Sequence, residues 1–158
     1  MEQLYQQVIL DHAKFPHGRG LGDAVGGAHS AQSHQVNPTC GDEVTLQVDV
    51  DDTGVVRGLR WDGQGCSISQ ASVSVLHDLV LDQPVATVDG LAATFRELMQ
   101  SKGQGLSDEA AEESLGDAAA FTGVGKFSAR VKCALLGWVA LDDALIKTGA
   151  ARTDREDA

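Results

Sequence analysis

A chain of 158 residues is long enough to bury a core without disulfides, and its make-up of 42% hydrophobic and 22% charged residues is that of a globular domain. A formal net charge of −11 argues against a polyanionic partner such as nucleic acid, and no run approaches the roughly 18 apolar residues of a membrane span. Met1 to Tyr5 lacks a basic segment followed by an apolar one, so the expected location is the cytoplasm, a reducing compartment.

In chain order, Leu4, Val8 and the Asp11-His12 pair recur at helical spacing until Pro16, His17 and Gly18 interrupt them. Gly20 to Ser30, with four glycines, reads as a mobile loop, and Ala31 to Val36 as a first strand leading to the Asn37-Pro38 turn. Glu43 to Val50 alternates strictly. Val44, Leu46, Val48 and Val50 fall on one face and Glu43, Thr45, Gln47 and Asp49 on the other, the pattern of a half-buried strand. Asp51-Asp52-Thr53-Gly54 predicts a turn, and Val55 to Trp61 returns with Val55, Leu59 and Trp61 inward, making an antiparallel hairpin.

Helical spacing resumes from Ser67 to Asp82 through Ile68, Val75, Leu76, Leu79 and Val80, ending before Pro84. Leu91, Phe95, Leu98 and Met99 mark another helix ahead of Gly103-Gln104-Gly105, and Leu106 to Phe121 reads as helical in part. A final amphipathic helix is expected from about Ser128 to Thr148, with Val131, Leu135, Trp138 and Val139 buried. The fold class is therefore α+β: one domain over residues 1–150, with a small antiparallel sheet of about three strands packed on one side by helices. Residues 151–158 form a short polar tail expected to fray.

Three cysteines lie in separate words: Asn37-Pro38-Thr39-Cys40-Gly41-Asp42, Gly63-Gln64-Gly65-Cys66 and Ala129-Arg130-Val131-Lys132-Cys133-Ala134. An odd number cannot all pair within the molecule, which points to thiolates held by a metal or kept for chemistry. The hairpin carries Cys40 and Cys66 to one end of the sheet, where that end is expected to be exposed. Cys66 stands at a helix start, where unpaired backbone N–H groups favour a thiolate, Cys133 lies in the first turns of the last helix, and Asp42 offers a fourth ligand. Such a set suits zinc, while iron–sulfur clusters also take thiolates, so ligand type leaves the metal open. Spacing alone supports equally well a reading in which Cys66 and Cys133 are small core residues and Asp42 caps a turn. His12, His17, His29, His34 and His77 show no metal-ligand spacing with one another, and His12 is read as a hydrogen-bonded structural residue. Gly20, Gly22, Gly26 and Gly27 have no phosphate-loop lysine or following helix, which leaves nucleotide binding unsupported.

The words Leu4-Tyr5-x-x-Val8-Ile9-x-Asp11-His12, Asn37 to Asp42, Gly65-Cys66-Ser67-Ile68-Ser69 and Arg130 to Ala134 occur in this order within residues 4–147. Together they resemble the SufU family of iron–sulfur cluster assembly proteins, relatives of the IscU scaffold. Scaffolds of the IscU type carry a histidine immediately before the third cysteine. Here the residue is Lys132, whose ammonium has no lone pair for a metal, and the glycine-flanked helical segment between Cys66 and Cys133 is also SufU-like.

The resemblance implies an IscU/SufU-like fold and one Zn2+ held by Cys40, Asp42, Cys66 and Cys133. It implies a sulfurtransferase whose Cys40 accepts persulfide sulfur from a PLP-dependent cysteine desulfurase of SufS type, with no activity apart from that partner, and a downstream iron–sulfur scaffold that receives the sulfur. It further implies that a desulfurase histidine exchanges with Cys40 on the zinc. Arg130 and Lys132 then either steady anionic sulfur or are ordinary solvated charges. Two other readings stay open: an IscU-type scaffold building a labile iron–sulfur cluster on the same residues, and a non-catalytic domain whose zinc fastens loops to the helix layer.

Overall fold

The alternating run Asp42–Val50 is the central strand (β2) of a three-stranded antiparallel sheet, with His29–Asn37 (β1) on one side and Val56–Gln64 (β3) on the other. The computed structural model describes residues 3–22 and 29–149; most of the glycine-rich loop expected between Gly20 and Ser30, and the 151–158 tail, lie outside the described residues. Val44, Leu46, Val48 and Val50 are buried together, as the alternation predicts.

The opposite face of β2 departs from expectation, because Gln47 and Asp49 are also buried. A central strand is flanked on both sides: Gln32 of β1 donates to Gln47 at 3.3 Å, and Ser30 donates to Asp49. A second correction concerns β3. Asp49 pairs with Gly58 but Val50 pairs with Val56, so Arg57 is an extra residue in the ladder. This bulge shifts the alternation by one, turning Val56 rather than Val55 into the core, while Leu59 and Trp61 point inward as expected.

The helices run in the order α1 (Gln3–Lys14), α2 (Ser67–Val80), α3 (Val85–Gln100), α4 (Glu109–Ser114) and α5 (Ser128–Thr148), with a 3-10 stretch at Gly116–Lys126 between the last two. Asp108 caps α4 by accepting from the N–H groups of Ala110 and Ala111, so the Leu106 to Phe121 segment is helical in two short pieces. α5 lies across β1 and β2 and packs against α2, which in turn carries α1.

The buried side of α5 differs from the predicted one. Trp138 is buried and stacks on Phe95 with ring centroids 4.9 Å apart, yet Val139 is exposed and Val131 and Leu135 are only partly covered. Its inner face is built instead from Ala134, Gly137, Ala140 and Ala144 with Leu141 and Leu145. Small residues let the backbones approach closely: a Cβ on Gly137 would sit 3.0 Å from Val73 of α2. Among the described residues no helix is long and apolar enough to cross a membrane.

Where β3 leaves the sheet, the chain is equally tight. A Cβ on Gly63 would stand 2.2 Å from the Glu43 carbonyl oxygen, a backbone atom of the paired strand that cannot move aside. Gly63→Ala is therefore expected to lower the unfolding free energy by about 1–3 kcal/mol. Urea denaturation checks this, and an unchanged midpoint would mean that the strand end yields without cost.

Candidate metal centre

The centre is assembled at one end of the sheet. β1 and β2 are joined by Pro38 to Gly41, with Asn37 paired to Asp42 at the ladder's last rung and Gly41 N–H donating to the Asn37 carbonyl at 2.9 Å. Gly41 has φ +73, the left-handed conformation that closes such a turn. Cys40 consequently sits on an exposed turn, while Asp42, two residues on, is fully buried at 0% exposure.

β3 ends at Gln64, and Cys66 caps the N-terminus of α2. Its backbone N–H donates to Asp42 Oδ1 at 2.9 Å, and its Sγ lies 4.0 Å from Asp42 Oδ2. Gly65 makes this approach possible, since a Cβ there would fall 2.3 Å from Asp42 Oδ1 and 2.7 Å from Ser69 Oγ. Ser69 Oγ donates to the Cys66 carbonyl at 3.0 Å and steadies the first turn.

Cys133, in the second turn of α5, is buried with its Sγ 3.6 Å from the Ala129 carbonyl and 3.8 Å from Asn37 Nδ2. One donor atom from each of Cys40, Asp42 and Cys133 lies within 4.8 Å of the other two. Burial first, and then the neighbouring Asp42, Cys40 and Cys66, push the Cys133 thiol far above its ordinary range. Burial there disfavours the thiolate, and a cation in contact with the sulfur would favour it.

The structure therefore gathers three of the sequence-predicted residues into one cluster and sets Cys66 against it through Asp42. The donor chemistry fits zinc: borderline-soft thiolates and one carboxylate, with a buried carboxylate that calls for a cationic partner. Tetrahedral zinc with sulfur ligands at about 2.3 Å spaces them roughly 3.8 Å apart, so a modest contraction of the cluster would suffice. Arg130 and Lys132, on either side of Val131, are exposed at the start of α5.

Two features were not read from the sequence. Asn37 and Gly65 belong to the cysteine words, but their parts, a donor to Cys133 and a clearance for Asp42, depend on contacts between separate elements. The fold also brings one donor atom each from His12, His17 and Asp78 within 4.8 Å of the others, a grouping that spacing along the chain does not show. His12 is nevertheless hydrogen-bonded as expected, to Ser74 at 2.8 Å and Asp117 at 3.1 Å.

With this geometry in view, comparison with known proteins defines the class. The model of the NifU-like N terminal domain matches residues 4–134. The chain is 36% identical over 148 residues to the zinc-dependent sulfurtransferase SufU of Bacillus subtilis (strain 168), covering 93% of this chain and 92% of that protein. It is 35% identical over 152 residues to the iron–sulfur cluster assembly scaffold protein IscU of Streptococcus pyogenes serotype M1, covering 96% and 89%. Among solved structures, an iron–sulfur cluster assembly scaffold protein for the SUF system from Fervidobacterium islandicum AW-1 superposes with a TM-score of 0.75 at 29% identity, covering 88% of this chain and 94% of that one. The chain belongs to the NifU-like N-terminal domain family, within the SufU and IscU superfamily of iron–sulfur cluster assembly proteins.

Because a Cβ on Gly65 would overlap the Asp42 carboxylate, Gly65→Ala is expected to displace it and to weaken any Zn2+ binding there about 10- to 100-fold, the usual cost of disturbing a ligand's support. Competition with a chromophoric chelator measures this. Unaltered affinity would detach Asp42's placement from metal binding.

Proposed function

We propose that this chain is a zinc-dependent sulfurtransferase that accepts persulfide sulfur from a PLP-dependent cysteine desulfurase of SufS type and passes it to a downstream iron–sulfur scaffold. The observation that carries the reading is the unequal exposure of three thiols around one buried carboxylate: Cys40 is exposed, Cys66 is intermediate and Cys133 is buried. The proposed ligands are Cys40, Asp42, Cys66 and Cys133. Zinc, when bound, supplies the positive charge that keeps thiolates deprotonated near neutral pH.

The chain's own residues account for the rest. Cys133 and Asp42 are fixed in the core and suit permanent holding, whereas Cys40 rides on a turn open to solvent and suits nucleophilic attack. The Cys40 thiolate attacks the outer sulfur of the donor's cysteine persulfide; the donor S–S bond breaks and its electron pair leaves on the donor cysteine as a thiolate. A new S–S bond then joins that sulfur to Cys40 Sγ, so sulfur moves without net oxidation. Beside Cys66 a shallow groove lined by Ile68, Val124, Phe127 and Arg130 offers apolar surface and one cation to the donor segment.

A scaffold role of IscU type is the second reading, supported by the 35% identity to the Streptococcus pyogenes IscU. Lys132 weighs against it, because its ammonium offers no lone pair where IscU-type scaffolds carry a histidine.

The test measures sulfide and alanine production by the desulfurase with and without this protein. Folded Cys40→Ala is expected to lose all stimulation, and stimulation equal to the parent's would overturn the acceptor assignment. Asp42→Ala is expected to lose zinc to a chelator faster than the parent while keeping its fold. Metal analysis separates the two readings: about one zinc per chain and no visible charge-transfer bands supports transfer, whereas iron with inorganic sulfide and a brown spectrum supports the scaffold.

A further inference from the structure

A second group of donors stands where α1, the loop after it and α2 meet. We propose that His12, His17 and Asp78 form a site for a divalent first-row transition ion such as Zn2+, separate from the thiolate centre. Two imidazoles and a carboxylate are a donor set for zinc and its neighbours. One donor atom from each already lies within 4.8 Å of the other two. Asp78 follows Cys66 by twelve residues on α2, which at 1.5 Å per residue puts the two sites about 18 Å apart along the helix.

The hydrogen bonds around the rings suit ligation. His12 Nε2 donates to Asp117 at 3.1 Å, so its neutral ring keeps the Nδ1 lone pair, and His17 Nδ1 donates to Asp78 at 2.6 Å through a proton that an ion bound by both groups would displace. Ser74 Oγ lies 2.8 Å from His12 Nδ1, and His77 Nδ1 donates to Asp78 Oδ1 at 3.0 Å. Binding would trade the His17–Asp78 contact, or the Ser74 contact, for bonds to the ion. His17 and Asp78 have side chains 50% and 44% exposed, which leaves room for water to complete the coordination shell.

Exposed histidines often come near a carboxylate by chance, but here the backbone is fixed in advance. The His17 N–H donates to Ser74 Oγ at 2.8 Å, and the His17 carbonyl accepts from the indole Nε1 of Trp61 at 2.7 Å. Trp61 is a fully buried residue, and its backbone N–H donates to the Gly18 carbonyl at 3.1 Å. Gly18 has φ +76, and a Cβ there would stand 2.3 Å from the His77 ring, so the loop follows this path only with glycine. The loop that carries His17 is thus tied to the core before any ion arrives, and little conformational entropy remains to be lost on binding. An ion so placed would fasten α1 and its loop to α2.

The experiment uses the full chain with its thiolate residues intact. The parent, His17→Gln, Asp78→Asn and a control, His34→Gln, are dialysed to equilibrium against micromolar Zn2+ and their metal content is determined, with thermal melts recorded in parallel. The parent and His34→Gln are expected to hold one zinc per chain more than His17→Gln or Asp78→Asn, and the added zinc is expected to raise Tm further in the first pair than in the second, whose shift comes from the thiolate centre alone. Both test substitutions are at partly exposed side chains, and circular dichroism confirms that each variant is folded. Equal zinc content and equal Tm shifts in all four proteins would overturn the site, as would loss of the extra equivalent in His34→Gln as well.

Discussion

The hydrogen bond from the Cys66 N–H to the Asp42 carboxylate, 2.9 Å long and buried on the carboxylate side, is the contact on which the rest of this structure turns. It closes the end of the sheet onto the first turn of α2, where backbone donors and helix dipole both favour a negative group. A carboxylate withdrawn from water is costly unless compensated, and one backbone N–H is partial compensation. The three thiols around it are poor hydrogen-bond donors. A cation held there would complete the compensation.

Exposure then distributes roles among chemically equal residues. Cys133 is held in the core by the packing of α5 on β1 and β2, where burial opposes a lone thiolate. Cys40 is attached to the same cluster through a tight turn and stays open to solvent, outside any strand or helix. Cys66 stands between, on a helix cap whose position is set by Gly65 and Asp42. The proposed acceptor and holders would need this kind of difference, and chain architecture supplies it without any difference in side-chain chemistry.

The second donor group shows the same economy of framework. Trp61 is a core residue of β3, yet its indole and backbone N–H groups hold the loop bearing His17 and Gly18. α2 serves both places: its N-terminus carries Cys66 and its last turns carry His77 and Asp78. The two places lie on one rigid element, and a shift of α2 would be felt at both.

The order of helices and strands was legible because local periodicity dictates it: strict alternation in β2, apolar spacing in α3 and the glycine break ahead of α5 needed no tertiary information. The cysteine words were legible for the same reason, as was the meeting of the start of β2 with the end of β3, which antiparallel pairing entails. Tertiary structure decided what periodicity cannot express. A single bulged residue, Arg57, exchanged Val55 for Val56 in the core, and the small residues of α5 turned that helix until Val139 faced solvent. His12, His17 and Asp78 stand 5 and 61 residues apart in sequence, so only the docking of α1 on α2 brings them together. Sequence by itself determined the elements and the donors, because both depend on near neighbours; the depth of each donor and its companions depended on packing between distant segments.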